Sequence, residues 1–298
     1  MKIGFITFRI ERVGGLATVS KELQKGFENL GITIKNIELT PGTQSKKDIK
    51  KDKEKAIESN FESFQQVDFD YSFGYGNPNK IHKCVDFLNQ FDLLIFQNAC
   101  PTIRKGENNP NWIYLIQDLK PIKFVIIHDP MWRQNATWLV EVDNYIDLFL
   151  CVQAKGFNSV LGLDTPALIM RHPLDLSDIG LYEDQKINQV VSPHQWKSWK
   201  NQDVVARTTL NLQKDIDPKI VITNTGTDFR NFRITEEWKN IQENGNIDYK
   251  GIVKGEDLTE LFKTSKIIID LSVGEWGNVI RGDYKSLNYA VIEGIKYG

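Results

Sequence analysis

Short runs rich in β-branched and aromatic residues recur along the chain, and most are apolar at consecutive positions instead of alternate ones. "KIGFITF" (2–8), "FDLLIFQNA" (91–99), "KFVIIHD" (123–129), "DLFLCVQ" (147–153) and "ALIMRHP" (167–173) are of this kind. A strand without a polar side must be covered on both faces, which a parallel sheet sheathed in helices provides. The intervals fit that arrangement. Leu16, Val19, Leu23, Phe27 and Leu30 step by three and four as a helix requires, Gly31 closes it, and "ITIKNIEL" (32–39) resumes as a strand.

After "RHPLDLSDIGLYEDQ" the alternation restarts. "NQVVSP" (188–193), "KIVITNTG" (219–226), "IDYKGIV" (247–253) and "KIIIDLSV" (266–273) read as strands, with helices near 201–214, 235–244, 256–265 and 283–297. The pattern predicts an α/β protein of two doubly wound units, 1–175 and 176–298, with ligands bound in a cleft between them at the carboxyl ends of the strands. A length of 298 residues suits two such domains. The second unit stops inside a helix that should lead to another strand, so the expectation is that it is incomplete.

A formal net charge of −2 argues against a chain coated in nucleic acid but leaves room for a local basic groove. No stretch approaches the roughly 20 apolar residues of a membrane span, and the apolar opening ends at Arg9 with no cleavage site after it. A cytoplasmic protein is expected. Cys84, Cys100 and Cys151 have no metal-like or redox-like spacing and read as reduced, mostly buried thiols. His82, His128, His172 and His194 are scattered, which argues against a histidine-cluster metal site.

Four stretches could carry chemistry. In "RIERVGGLATVSKEL", Gly14 and Gly15 fall between the first strand and its helix, where bare backbone either makes a tight turn or approaches a pyrophosphate. The stretch is neither a complete GxGxxG nor a Walker loop. In "HDPMWRQN", His128 and Asp129 end a strand where a wound sheet places reactive side chains, although a buried histidine beside a helix-capping aspartate would look the same. "SPHQWKSWKNQD" puts Lys197 and Lys200 where they could neutralise a phosphate, with Trp196 and Trp199 free to pack or stack; a surface contact with nucleic acid is the alternative. In "KSLNYAVIEGIKYG", the apolar stripe of Leu287, Ala290, Val291, Gly294 and Ile295 leaves Glu293 to one side. That acid is either exposed to water or available to accept hydrogen bonds from ribose hydroxyls.

In this order the four stretches resemble the retaining GT-B glycosyltransferases that use nucleotide sugars. "IIHD" followed by an arginine, "HQWKSWKN" and "KSLNYAVIEG" are similar to the DNA α-glucosyltransferases of T-even phages. The resemblance implies two Rossmann-like domains facing a cleft, with a UDP-sugar such as UDP-glucose as donor substrate and no cofactor or metal required. It further implies hydroxymethylcytosine in double-stranded DNA as acceptor. It assigns Gly14 and Gly15 to the donor phosphates, Lys200 to the diphosphate, Glu293 to the ribose, and His128 with Asp129 to the transfer centre. Lys200 and Lys285 would offset charge on the departing diphosphate. Gln195 stands where many relatives have arginine, so one phosphate charge is missing unless Lys197 replaces it. Lys285 stands where the wider family has the first of two glutamates. Two alternatives stay open: the same chemistry on a surface glycan or lipid-linked sugar, and an inactive binding protein on the same scaffold.

Overall fold

The computed structural model describes residues 1–8, 15–40, 71–74, 78–97, 110–128, 139–152, 154–174, 176, 179–194, 196, 200–211, 219–223, 231–251, 253, 255–271 and 294–297. The chain divides into two compact units, the first running to Pro173 and the second starting at Leu174.

In unit 1 the strands are β1 (Ile3–Phe8), β2 (Ile34–Thr40), β3 (Tyr71–Gly74), β4 (Leu93–Phe96), β5 (Ile122–Ile127), β6 (Leu148–Cys151) and β7 (Ala167–Ile169). They pair in the order β3-β2-β1-β4-β5-β6-β7, every pair parallel. Helices α1 (Gly15–Asn29), α2 (Pro78–Leu88), α3 (Pro110–Gln117) and α4 (Ala154–Val160) lie between them in sequence. The strands are apolar on both sides because both sides are covered. Ile6, Ile37, Leu94, Phe96, Val125, Ile127 and Phe149 pack on one face against Ile81, Leu88 and Leu115 from α2 and α3. Ile3, Phe5, Ile34, Leu93, Ile95 and Ile126 pack on the other against Leu23 and Phe27 of α1.

Unit 2 repeats the plan with β8 (Ile187–Ser192), β9 (Lys219–Thr223), β10 (Ile247–Gly251) and β11 (Ser265–Ile268), in the parallel order β10-β9-β8-β11. Its helices include α5 (Gln202–Thr208), α6 (Glu236–Asn244) and α7 (Gly255–Thr264). Thr235 caps α6 by accepting the Trp238 N–H at 3.2 Å, and Glu236 and Glu237 place negative charge in its first turn. Trp238 then meets Trp196 edge-on at 6.1 Å and Tyr249 edge-on at 6.1 Å, forming the aromatic centre of one face. Val191, Leu261, Phe262 and Tyr297 fill the other.

The end of the stripe over 287–295 departs from its sequence pattern. Gly294 is buried so tightly that a Cβ there would come within 2.0 Å of Ile268 Cδ1. Ile295, which the stripe puts on the covered side, is 58% exposed, while Tyr297 is buried beneath Phe262 and Tyr182. Ile295 is still helical and the turn begins at Lys296, so the covered side at this end is the one shared by Gly294 and Tyr297, three residues apart, and not that of Ile295.

One buried carboxylate fixes the far edge of unit 1. Asp143, in a 3-10 turn just before β6, accepts the backbone N–H groups of Asp164 at 2.7 Å and Thr165 at 3.0 Å, and Thr165 Oγ1 donates back to the Asp143 carbonyl at 2.7 Å. Burial alone would raise this carboxyl, but the hydrogen bonds from Thr165 and Asp164 outweigh it and hold it below the usual range. The stability these bonds supply is therefore present above the ordinary aspartate range and lost as pH falls through the depressed value. Asp143→Ala is expected to destabilise unit 1 by about 1–3 kcal/mol at neutral pH, measured by urea unfolding, with the deficit shrinking as the solution is acidified.

Candidate functional site

In a parallel sheet all carboxyl ends lie along one edge, and in both units the strand order reverses beside the first strand, at β1 and β4 in unit 1 and at β8 and β11 in unit 2. Ligands of open α/β sheets bind outside such a reversal. Both units change character there.

On the α1 face of unit 1 the residues of each strand run from apolar to polar toward the carboxyl end. Ile3 and Phe5 give way to Thr7, Ile34 to Asn36 and Glu38, Leu93 and Ile95 to Gln97, and Ile126 to His128. Thr7 pairs in register with Glu38, and the Gln97 N–H bonds the carbonyl of Ile6 at 2.8 Å, so these side chains are near neighbours. All are buried. Buried polar groups are costly unless satisfied, so a run of them at one edge marks a place with a use for hydrogen bonds. The Thr7 hydroxyl is buried with no partner among the described residues.

His128 is the centre of this group. One ring N–H donates to the backbone carbonyl of Gln97, and Nε2 is buried without a partner among the described residues, which fixes the tautomer with its lone pair on Nε2. The ring of His172, just beyond β7, stacks on it at 6.4 Å between centroids and 27° between planes. Burial, then the neighbouring His172, push the His128 pKa down to about 3 against the raising effect of the Gln97 bond. Burial also lowers His172. His128 is therefore neutral over the whole physiological range and presents a hydrogen-bond acceptor. Such a group suits a hydroxyl and offers nothing to an anion.

At the corresponding edge of unit 2, His194 follows β8 and Asp270 follows β11, with Nε2 3.2 Å from Oδ1 and the imidazole almost fully buried. The approach is close but does not meet the angles of a hydrogen bond, so it is a buried polar contact. Asn201 takes the left-handed conformation at φ 50° and donates to the Leu271 carbonyl at 2.8 Å, and Gln202 donates to the His194 carbonyl. Lys200 stands half-buried immediately before this turn.

Of the residues singled out from sequence, His128 and Lys200 are described in full, and Gly15 is the first residue of α1. Trp196 packs: it is buried against Phe232 and Trp238. Gly14, Asp129, Gln195, Lys197, Trp199, Lys285 and Glu293 lie outside the described residues. Sequence reasoning missed two partners. His172 was counted among scattered histidines, yet the sheet brings it onto His128. Asp270 was read as the interior of a strand, yet β11 ends at Ile268 and leaves it at the edge; an acid directly after "KIII" was the available signal. The two described cysteines, Cys84 and Cys151, are buried and free, and burial pushes them to about 12 and about 11, outside nucleophilic range. Among the described residues no group of three or more His, Cys, Asp or Glu side chains could hold a metal, and no helix is long and apolar enough to cross a membrane.

Two Rossmann-like units in this order are the fold of the GT-B glycosyltransferases, and comparison with solved structures places the chain there. Phage T4 α-glucosyltransferase, in complex with UDP and a DNA 13-mer containing an HMU base, superposes with a TM-score of 0.63 at 17% identity, covering 91% of this chain and 72% of that one. Anabaena HepE, in complex with UDP and glucose, gives 0.59 at 9% identity over 91% and 74%. The lipopolysaccharide outer core galactosyltransferase WaaB gives 0.57 at 12% identity over 91% and 74%. No protein-family model and no curated protein sequence matches the chain.

The depressed His128 has a consequence for stability. Between its ordinary value near 6.5 and about 3 the unfolded chain takes up a proton that the folded chain does not, so stability falls as pH falls through that window, by up to about 1.4 kcal/mol per pH unit. Melting temperature followed from pH 7 to pH 4 is expected to drop less steeply in His128→Gln than in the wild type.

Proposed function

We propose that this chain is a nucleotide-sugar glycosyltransferase that moves a sugar from UDP-glucose or a close UDP-sugar, with retention, to hydroxymethylcytosine in phage DNA. The observation that carries the reading is the neutral acceptor His128, built into the carboxyl edge of a GT-B sheet, where a sugar hydroxyl is the fitting ligand. The likeness to structures holding UDP supports the donor, and the likeness to one that also holds DNA with an HMU base supports the acceptor.

The roles follow from charge. The donor diphosphate is an anion, and Lys200, with Lys197 and Lys285, supplies the cations it needs; Gly14 and Gly15 let backbone N–H groups approach it. Gln195 in place of an arginine leaves Lys197 to carry that share of charge. Glu293 accepts hydrogen bonds from the ribose. His128 orients the sugar through Nε2, and Asp129 beside it acts at the transfer centre. In the reaction the anomeric C1–O bond to the diphosphate breaks as the acceptor oxygen bonds C1 from the same face. The acceptor proton passes to the departing diphosphate oxygen, and UDP leaves. The protein's share is positioning and stabilisation of the charge that grows on the diphosphate.

A second reading keeps the chemistry and changes the acceptor to a surface glycan or lipid-linked sugar. The likeness to HepE and WaaB, with TM-scores close to that of the DNA-bound structure, favours it.

Calorimetric titration of UDP is expected to show binding to the wild type, weakened about tenfold or more in Lys200→Ala and in Glu293→Ala, the worth of one charged hydrogen bond. His128→Ala should leave UDP affinity in place and lower turnover. A wild type that ignores UDP would sink the donor assignment. Duplex DNA should bind with an affinity that falls as salt rises, by a slope of about 0.9 in log K per phosphate contacted; a flat response would move the acceptor to a glycan.

A further inference from the structure

We propose that His194 and Asp270 are positioning residues: together with the Asn201–Leu271 bond they hold the chain on both sides of Lys200 to the residues that follow β11 and so fix where Lys200 stands. The inference rests on the reading of Lys200 as a diphosphate ligand and deepens it. Two independent contacts come from opposite sides of Trp196 and Lys200 and land on consecutive residues, His194 on Asp270 at 3.2 Å and Asn201 on the Leu271 carbonyl at 2.8 Å. Gln202 closes the turn on itself by donating to the carbonyl of His194. Trp196, between the two contacts, is held in the aromatic core by Phe232 and Trp238.

Cohesion alone does not call for this pair. A buried polar pair is matched or bettered in stability by apolar side chains of similar volume, and the role proposed for this one is to define geometry. Asn201 points the same way. A left-handed asparagine costs free energy that a looser turn would avoid, and it keeps its side chain aimed at Leu271. The clasp also stands at the reversal between β8 and β11, where an open sheet receives its ligand. A lysine without such contacts beside it would sample many positions before meeting a diphosphate; one with contacts at 194 and 201 on either side is oriented in advance.

The test is UDP titration into the full chain and into Asp270→Ala, His194→Phe and Asn201→Gly, with amide exchange of the 194–202 peptide followed in each. His194→Phe keeps the packing, and Asn201→Gly keeps the left-handed backbone, so each removes a contact without forcing a misfold. The expected result is a loss of about tenfold or more in UDP affinity in Asp270→Ala and His194→Phe, and exchange faster across 194–202 than across β9, with melting temperature within about 4 °C of the wild type. Affinity and exchange both unchanged would overturn the clasp. So would exchange accelerated equally in β8 and β9, which would assign the pair to global stability. A wild type that binds no UDP, with exchange across 194–202 still responding locally, would uphold the clasp and remove the diphosphate from Lys200.

Discussion

Parallel pairing on both sides of β1 is the constraint on which the rest of unit 1 depends. β1 bonds β2 along one edge and β4 along the other, so the next strands extend outward in opposite directions and their connections cover opposite faces. Two consequences follow at once. The strands have no face left for water, which is why they are apolar at consecutive positions. Every carboxyl end also falls on one edge, which is where Thr7, Glu38, Gln97 and His128 collect although they are far apart in the chain.

This arrangement costs stability and so has to be supported. A hydroxyl, an amide, a carboxylate and an imidazole lie buried in succession where leucine would pack without penalty. The apolar halves of the same strands meet the cost, with two full layers of side chains packed along the sheet. Asp143 and Lys123 show how the protein treats buried charge elsewhere. Asp143 takes backbone N–H groups, and Lys123 donates to the carbonyls of Leu119 at 3.1 Å and Pro121 at 2.8 Å. Both are consumed by the backbone around them. His128 is different in that the Gln97 carbonyl engages only one of its two nitrogens.

Much of the fold was legible because strands buried on both faces leave a signature in single residues. The runs at 2–8 and 147–153 contain β1 and β6, the run at 123–129 covers β5 except its first residue, and the Leu16-to-Leu30 stripe covers α1 except its first residue. The four residues of β3 were not legible, since so short an edge strand has no period to display. The site was legible only by halves. His128 announces itself by standing directly after a strand and Lys200 by standing just before a helix, but the partners of His128 and of the residues around Lys200 are matters of topology. His172 reaches His128 because β5, β6 and β7 lie side by side, and Asp270 reaches His194 because β11 skips two strands to pair with β8. Neither adjacency has a local sequence mark.

The edges of the two units differ in their electrostatics, and under the proposed reaction that difference would have a use. A donor made of a neutral sugar and an anionic diphosphate needs opposite treatment at its two ends. A cation near the sugar would attract the phosphates to the wrong place, and a neutral group near the diphosphate would leave its growing charge unanswered. Unit 1 keeps His128 neutral by burial and by the second imidazole of His172. Unit 2 has Lys200 between the His194–Asp270 contact and the Asn201–Leu271 bond along the chain. On that reading unit 1 would carry the uncharged half of the task and unit 2 the charged half, and the deep burial that keeps His128 neutral is what its half would require.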